Sequence, residues 1–319
     1  MRIVFFSAPL LVSLVFANTT PAQTVKAITK LDTTGDVYFA TVCNGGENVA
    51  GVDRKKGIHL WNLATGQQKL FQANLDSQID PGALVCDQKT IAVGSIHGAV
   101  VLLDLEGKVR KRSELKEEIT GMALSPDGRK LTVSTGNSPV QLWDVSSASR
   151  EWTGSTTFGN SYGARISPDG KSVFAADGDT YIRAYRMTDG KLVYAAEGDL
   201  LEPFDVTVSA DGRTIAVAGA EGRVELRDSA SGKILKKSSG CGNPIFLVTI
   251  SPTAPTVLAL ILDERTLHPA GIGYWNTNTT ELKQLAVDPK TVIGMGSDAK
   301  GLLLVRRESL EKLSVDRVE

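Results

Sequence analysis

The chain has 319 residues, with 35 basic against 36 acidic side chains and a formal charge of −1. That balance excludes a nucleic-acid surface, which needs a clear basic excess. Three cysteines, Cys43, Cys86 and Cys241, are too few and too odd in number for a disulfide framework.

Residues 1–22 read as a secretory signal. Arg2 supplies the positive start, residues 3–17 are almost wholly apolar, and Thr20-Pro21-Ala22 offers small residues for cleavage. The apolar run is shorter than the roughly 18–20 residues that span a bilayer. No cysteine stands near the cleavage region to carry a lipid. The expectation is an exported chain, secreted or periplasmic, with no transmembrane span once the signal is removed. Residues 24–319 then form one domain.

Residues 24–31 look like a strand without a unit of its own, and Val37–Val42 opens the first of a series. The turn Ser-Pro-Asp-Gly-Arg at 125–129 returns as Ser167 to Lys171 and again as Ser209 to Arg213, at steps of 42 residues. Degenerate copies follow at Ser251 and Ser297. A period of roughly 40–45 residues is that of a four-stranded propeller blade. Pro fixes φ and Asp-Gly tolerates the tight reversal, so the turn has a mechanical reason to recur.

Each unit reads as strand a, turn, strand b, loop, strand c, hairpin and strand d. In the third unit strand a is Ile119–Leu124, strand b is 130–134, strand c is 140–145, and strand d surrounds Trp152. Strand c carries a second register mark, held by Trp61, Leu103, Trp143, Tyr185, Arg227, Trp275 and Leu313. In five units the next residue is Asn62, Asp104, Asp144, Asp228 or Asn276, whose side chain can bond the backbone of the following hairpin. The last unit stops after strand c at 310–315, too early for a fourth strand. Segment 24–31 is therefore expected to supply it. The fold class is all-β, a seven-bladed β-propeller closed by the N-terminal strand, which leaves only short edges exposed.

Leu142-Trp143-Asp144, Leu60-Trp61-Asn62 and the repeated Ser-Pro-Asp-Gly resemble the WD-repeat propellers, and residues 167–174 are similar to YVTN-type repeats. The resemblance covers residues 24–319. It departs in lacking the Gly-His pairs, so the hydrogen-bonded tetrad of that family is not expected. What it implies is a binding or scaffolding module that works through loop faces.

The residues that could carry chemistry are sparse. His59, His97 and His268 do not cluster with other ligands at metal spacing, and no metal, cofactor or catalytic group is expected. Cys43 and Cys86 stand at matching ends of strand a in neighbouring units. A bridge is open to them, but two buried thiols are favoured, because matching points on adjacent blades are generally wider apart than a disulfide spans. Arg165 and Asp205, on consecutive inner strands, read as a structural ion pair in preference to a catalytic one.

The b–c loops project from one face. Arg54, Lys55, Lys56, Arg306 and Arg307 would form a basic sector there, opposite an acidic one holding Asp177, Asp179 and Glu221, with Asp263, Glu264 and Arg265 beside it. Such a field can orient a partner. The reading is a non-enzymatic, monomeric module that binds a protein or envelope component through this face. A lactonase or quinoprotein type of enzyme, or a small-ligand or glycan sensor at the channel, stays open as the alternative.

Overall fold

The computed structural model describes residues 25–75, 77–79, 83–156, 159–263, 265, 269–309 and 312–318. The signal segment 1–22, Glu264 and His268 lie outside the described residues. Twenty-eight strands, from β1 (Val25–Asp32) to β28 (Lys312–Val318), form seven antiparallel four-stranded sheets. The inner strands are β2 (Val37–Val42), β6 (Leu84–Cys86), β10 (Ile119–Leu124), β14 (Ser161–Ile166), β18 (Pro203–Val208), β22 (Ile245–Ile250) and β26 (Val292–Asp298). Each lies beside the next, and β26 returns to β2, which makes the arrangement a seven-bladed propeller.

Closure follows the expected route. β1 is the outermost strand of the last blade and pairs antiparallel with β28, from Val25 opposite Val318 to Asp32 opposite Lys312. Leu31 is buried in the join, and the Trp61 indole donates to the Asp32 carbonyl at 2.8 Å. One strand thus ties the last blade to the first.

Local chemistry explains the blades. In the Ser-Pro-Asp-Gly turns the hydroxyls of Ser125, Ser167 and Ser209 donate to Asp127, Asp169 and Asp211. They also accept the backbone N–H that opens strand b, as from Lys130 at 2.9 Å. The glycine that follows adopts φ of 69° at Gly128, a conformation that L side chains rarely take. The strand-c mark is equally mechanical. Asn62, Asp104, Asp144, Asp228 and Asn276 all accept backbone N–H groups of their own hairpins.

Middle strands such as Asn48–Asp53 are buried along their length, whereas outer ones such as Val109–Glu114 are largely exposed. Aliphatic packing between blades therefore carries the stability, at about 25 cal/mol per Å² of apolar area removed from water. Trp61, Tyr185 and Trp275 fill the strand-c places between blades. Arg227 fills one too, buried with its guanidinium on Glu225 at 2.9 Å and on the Gly232 carbonyl at 3.0 Å. The tryptophans donate to the Asp32 carbonyl, the Gln141 amide and the Thr279 carbonyl, so the WD-type tetrad is not what holds them.

One sequence reading needs correction. Cys43 and Cys86 form a disulfide, with Cα atoms 4.6 Å apart. They are not matching points after all. Cys86 pairs with Ile91 inside its sheet, the place Val42 holds opposite Val49, while Cys43 lies one residue beyond. The turn that follows differs in length between the two blades, and Asn44 N–H donates to the Cys86 carbonyl at 2.8 Å, so the two inner strands touch there. His59 is fully buried, sandwiched between Asp53 at 2.8 Å and Gln68 at 2.6 Å, and stacked on Trp61.

Candidate functional site

Arg54, Lys55, Lys56, Asp179 and Glu221 lie in b–c loops, whereas Asp177 ends β15 (Ser172–Asp177) and Arg306 and Arg307 lie inside β27 (Gly301–Ser309). Most of these charges are answered by partners from elsewhere in the chain. Arg54 donates to Asp36 at 2.9 Å, and Arg307 reaches the same carboxylate. Arg306 pairs with buried Asp316. Lys56 donates to the Leu75 carbonyl at 3.2 Å, and Lys55 is exposed. Arg54 of the first blade and Arg307 of the last are thus brought together on Asp36.

On the acidic side Asp177 and Asp179 turn inward. Arg183 contacts them at 3.0 Å and 2.6 Å, with all three side chains buried. Burial pushes the Asp177 carboxyl up to about 7, outweighing the Arg183 guanidinium that pulls it down. Glu221 accepts the Leu201 N–H through one oxygen, and its other oxygen is buried without a hydrogen bond. Sequence reasoning missed Asp36, Arg183 and Asp316. The 42-residue spacing that marks the loops carries no signal for side chains reaching them from strands or d–a loops.

A cavity of about 980 Å³ opens on the opposite face, among the a–b turns. Arg165 and Asp205 stand in its wall 3.1 Å apart, and Asp205 also accepts Val248 N–H at 3.0 Å. Burial raises the Asp205 carboxyl, with Arg165 opposing it. The ion pair expected between these two blades is present. Asp87, Lys89, Asp127 and Arg129 lie at the rim, and the disulfide forms part of the wall. Among the described residues there is no group of three or more His, Cys, Asp or Glu placed to hold a metal. No helix among them is long and apolar enough to cross a membrane.

Residues 13–196 match the family described as outer membrane protein assembly factor BamB. The match spans more than half of the chain and reaches into the last strand of the fourth blade, Leu192–Glu197. The chain belongs to this family. The propeller inferred from the repeats stands, and the matching family carries a different description from the WD-repeat one. No curated protein matches the chain.

Proposed function

We propose that this protein is an exported, non-enzymatic propeller that takes part in outer-membrane protein assembly as a binding module. Its partner would be a protein of the envelope, engaged through the face that carries the b–c loops. Membership of a family described as an outer membrane protein assembly factor carries this reading. The Cys43–Cys86 disulfide supports an oxidising compartment such as the periplasm. The WD-repeat-like turns and strand-c marks agree with a scaffold whose loops do the binding.

Of the loop-face charges, Asp177 and Asp179 are buried on Arg183 and Arg306 is paired with buried Asp316, which leaves Arg54, Lys55, Lys56, Arg307 and Glu221 as the residues proposed to face the partner. Of these Lys55 and Arg54 are the exposed ones that a partner can reach without breaking a buried pair. Binding is favoured over catalysis by the cavity wall. An anionic quinone cofactor would need free cations, whereas Arg165 is committed to Asp205 and the rim mixes Asp87 and Asp127 with Lys89 and Arg129. These residues do not suit such a group.

The test is affinity capture from solubilised outer membranes with the wild-type chain and with Arg54→Glu/Lys55→Glu. Enrichment of a protein of the outer-membrane assembly machinery, reduced several-fold by the double reversal, is expected. Failure to enrich any such protein would overturn the reading. Arg306 is left intact, because reversing it would strand Asp316 in a buried position.

A further inference from the structure

In six of the seven inner strands, among the described residues, the register slips at the second residue, so that this residue is a β-bulge. The bulged residues are Tyr38, Thr120, Tyr162, Phe204, Phe246 and Ile293. Bulges re-aim a side chain and recur beside functional sites. The cavity that enters from the a–b face ends at the residues immediately after them, among them Phe39, Asp205 and Leu247. The bulged residues therefore lie toward the other mouth of the channel, on the b–c face, where five of them are partly exposed and Ile293 is buried among Leu31, Val37 and Trp61.

This mouth is aromatic, and neighbouring inner strands approach closely beside it. A Cβ on Gly121 would lie 2.8 Å from the Tyr162 carbonyl oxygen, and one on Gly163 would lie 3.0 Å from that of Phe204, so the inner strands crowd here. Tyr162 meets Phe204 edge-on, with centroids 5.5 Å apart. Tyr38, Tyr162, Phe204 and Phe246 all remain partly exposed.

The residue two places before each bulge, on the d–a loop, is Asp36, Glu118, Asn160, Glu202, Pro244 or Thr291. None is basic. Asp36 is spent on Arg54 and Arg307, whereas Glu118 and Glu202 are exposed and form no ion pair with another described residue. Glu202 stands two residues before Phe204 in the chain, and its charge adds to the burial that raises the Tyr162 phenol.

A cation is attracted to an aromatic face and to a carboxylate alike. We propose that the mouth between the third and fifth blades receives a cationic side chain, Arg or Lys, carried on a loop of the partner polypeptide. Phe204 and Tyr162 supply the aromatic wall, and Glu118 and Glu202 supply the charge. The proposal rests on the protein-binding reading and names the chemistry of the partner at that face.

The experiment is fluorescence anisotropy with the full chain and a labelled Gly-Arg-Gly-Ser-Arg-Gly-Ser-Arg peptide, beside the same peptide with Glu for Arg. The Arg peptide should bind roughly tenfold more tightly than the Glu peptide. Glu118→Gln/Glu202→Gln should weaken it by about fivefold or more, and Phe204→Leu should also weaken it. Lys89→Gln, on the opposite face, should leave it unchanged. Unaltered melting by circular dichroism shows that the exposed Gln variants fold. Equal affinity of the wild type and the double Gln variant, or equal binding of both peptides, overturns the proposal. Full capture of an envelope protein by the double Gln variant removes the cationic contact and leaves protein binding standing. Arg-peptide binding without capture of any envelope protein does the reverse.

Discussion

Asp177 lies fully buried at the end of its strand, with one oxygen on Arg183 and the other lacking a hydrogen bond. Asp179 and Arg183 face it from the adjoining turn and strand, and Ser161 and Tyr185 act on it from β14 and the strand-c place. Its folded pKa of about 7 is raised above the unfolded value, so the folded chain holds this proton more tightly. The resulting stability is fully present below about pH 4 and is lost as pH rises through 7. Urea titrations should show wild-type stability falling between about pH 4 and 7 and levelling above that, and Asp177→Asn should flatten that slope. An unchanged slope would contradict it. The disulfide gives a second prediction at this scale. It closes a loop with a sequence separation of 43, worth about 4 kcal/mol in the chain-entropy treatment. Cys43→Ser/Cys86→Ser should lower the unfolding free energy by roughly 2–4 kcal/mol, read from the urea midpoint at constant slope.

At the scale of elements, the turns and register marks were legible because each has a local cause. Ser125 bonds its own turn, and Asp144 bonds its own hairpin. The closing strand could be read as well, because the last unit lacked a fourth strand and the first segment lacked a unit. The disulfide was not legible, since it depends on a one-residue offset between neighbouring strands set by unequal turns. Nor were the partners of the loop charges, because Asp36, Arg183 and Asp316 come from outside the loops. The bulges that aim Tyr162 and Phe204 leave no mark in composition, although the aromatics themselves keep the 42-residue step. Leu31 gives the element-scale prediction. It is buried where β1 joins the ring, so Leu31→Ala should cost about 2–4 kcal/mol by thermal or urea melting. Deleting residues 25–32 should abolish a single cooperative transition and expose the edge of β28 to aggregation. A deleted chain that melts like the wild type would contradict the closure.

For the whole molecule, the propeller separates two faces with different chemistry. The a–b face holds the large cavity with its internally neutralised Arg165–Asp205 pair. The b–c face holds exposed Lys55, the aromatic mouth, and the carboxylates of Glu118 and Glu202, which form no ion pair with another described residue. The proposed partner docks on the second face. The most direct measurement is photo-crosslinking in the envelope, with the reactive side chain placed in turn at Lys55, Glu202, Lys89 and Arg129. Adducts with an outer-membrane assembly protein from Lys55 and Glu202, and none from Lys89 and Arg129, are predicted. Adducts confined to Lys89 and Arg129 would contradict the account.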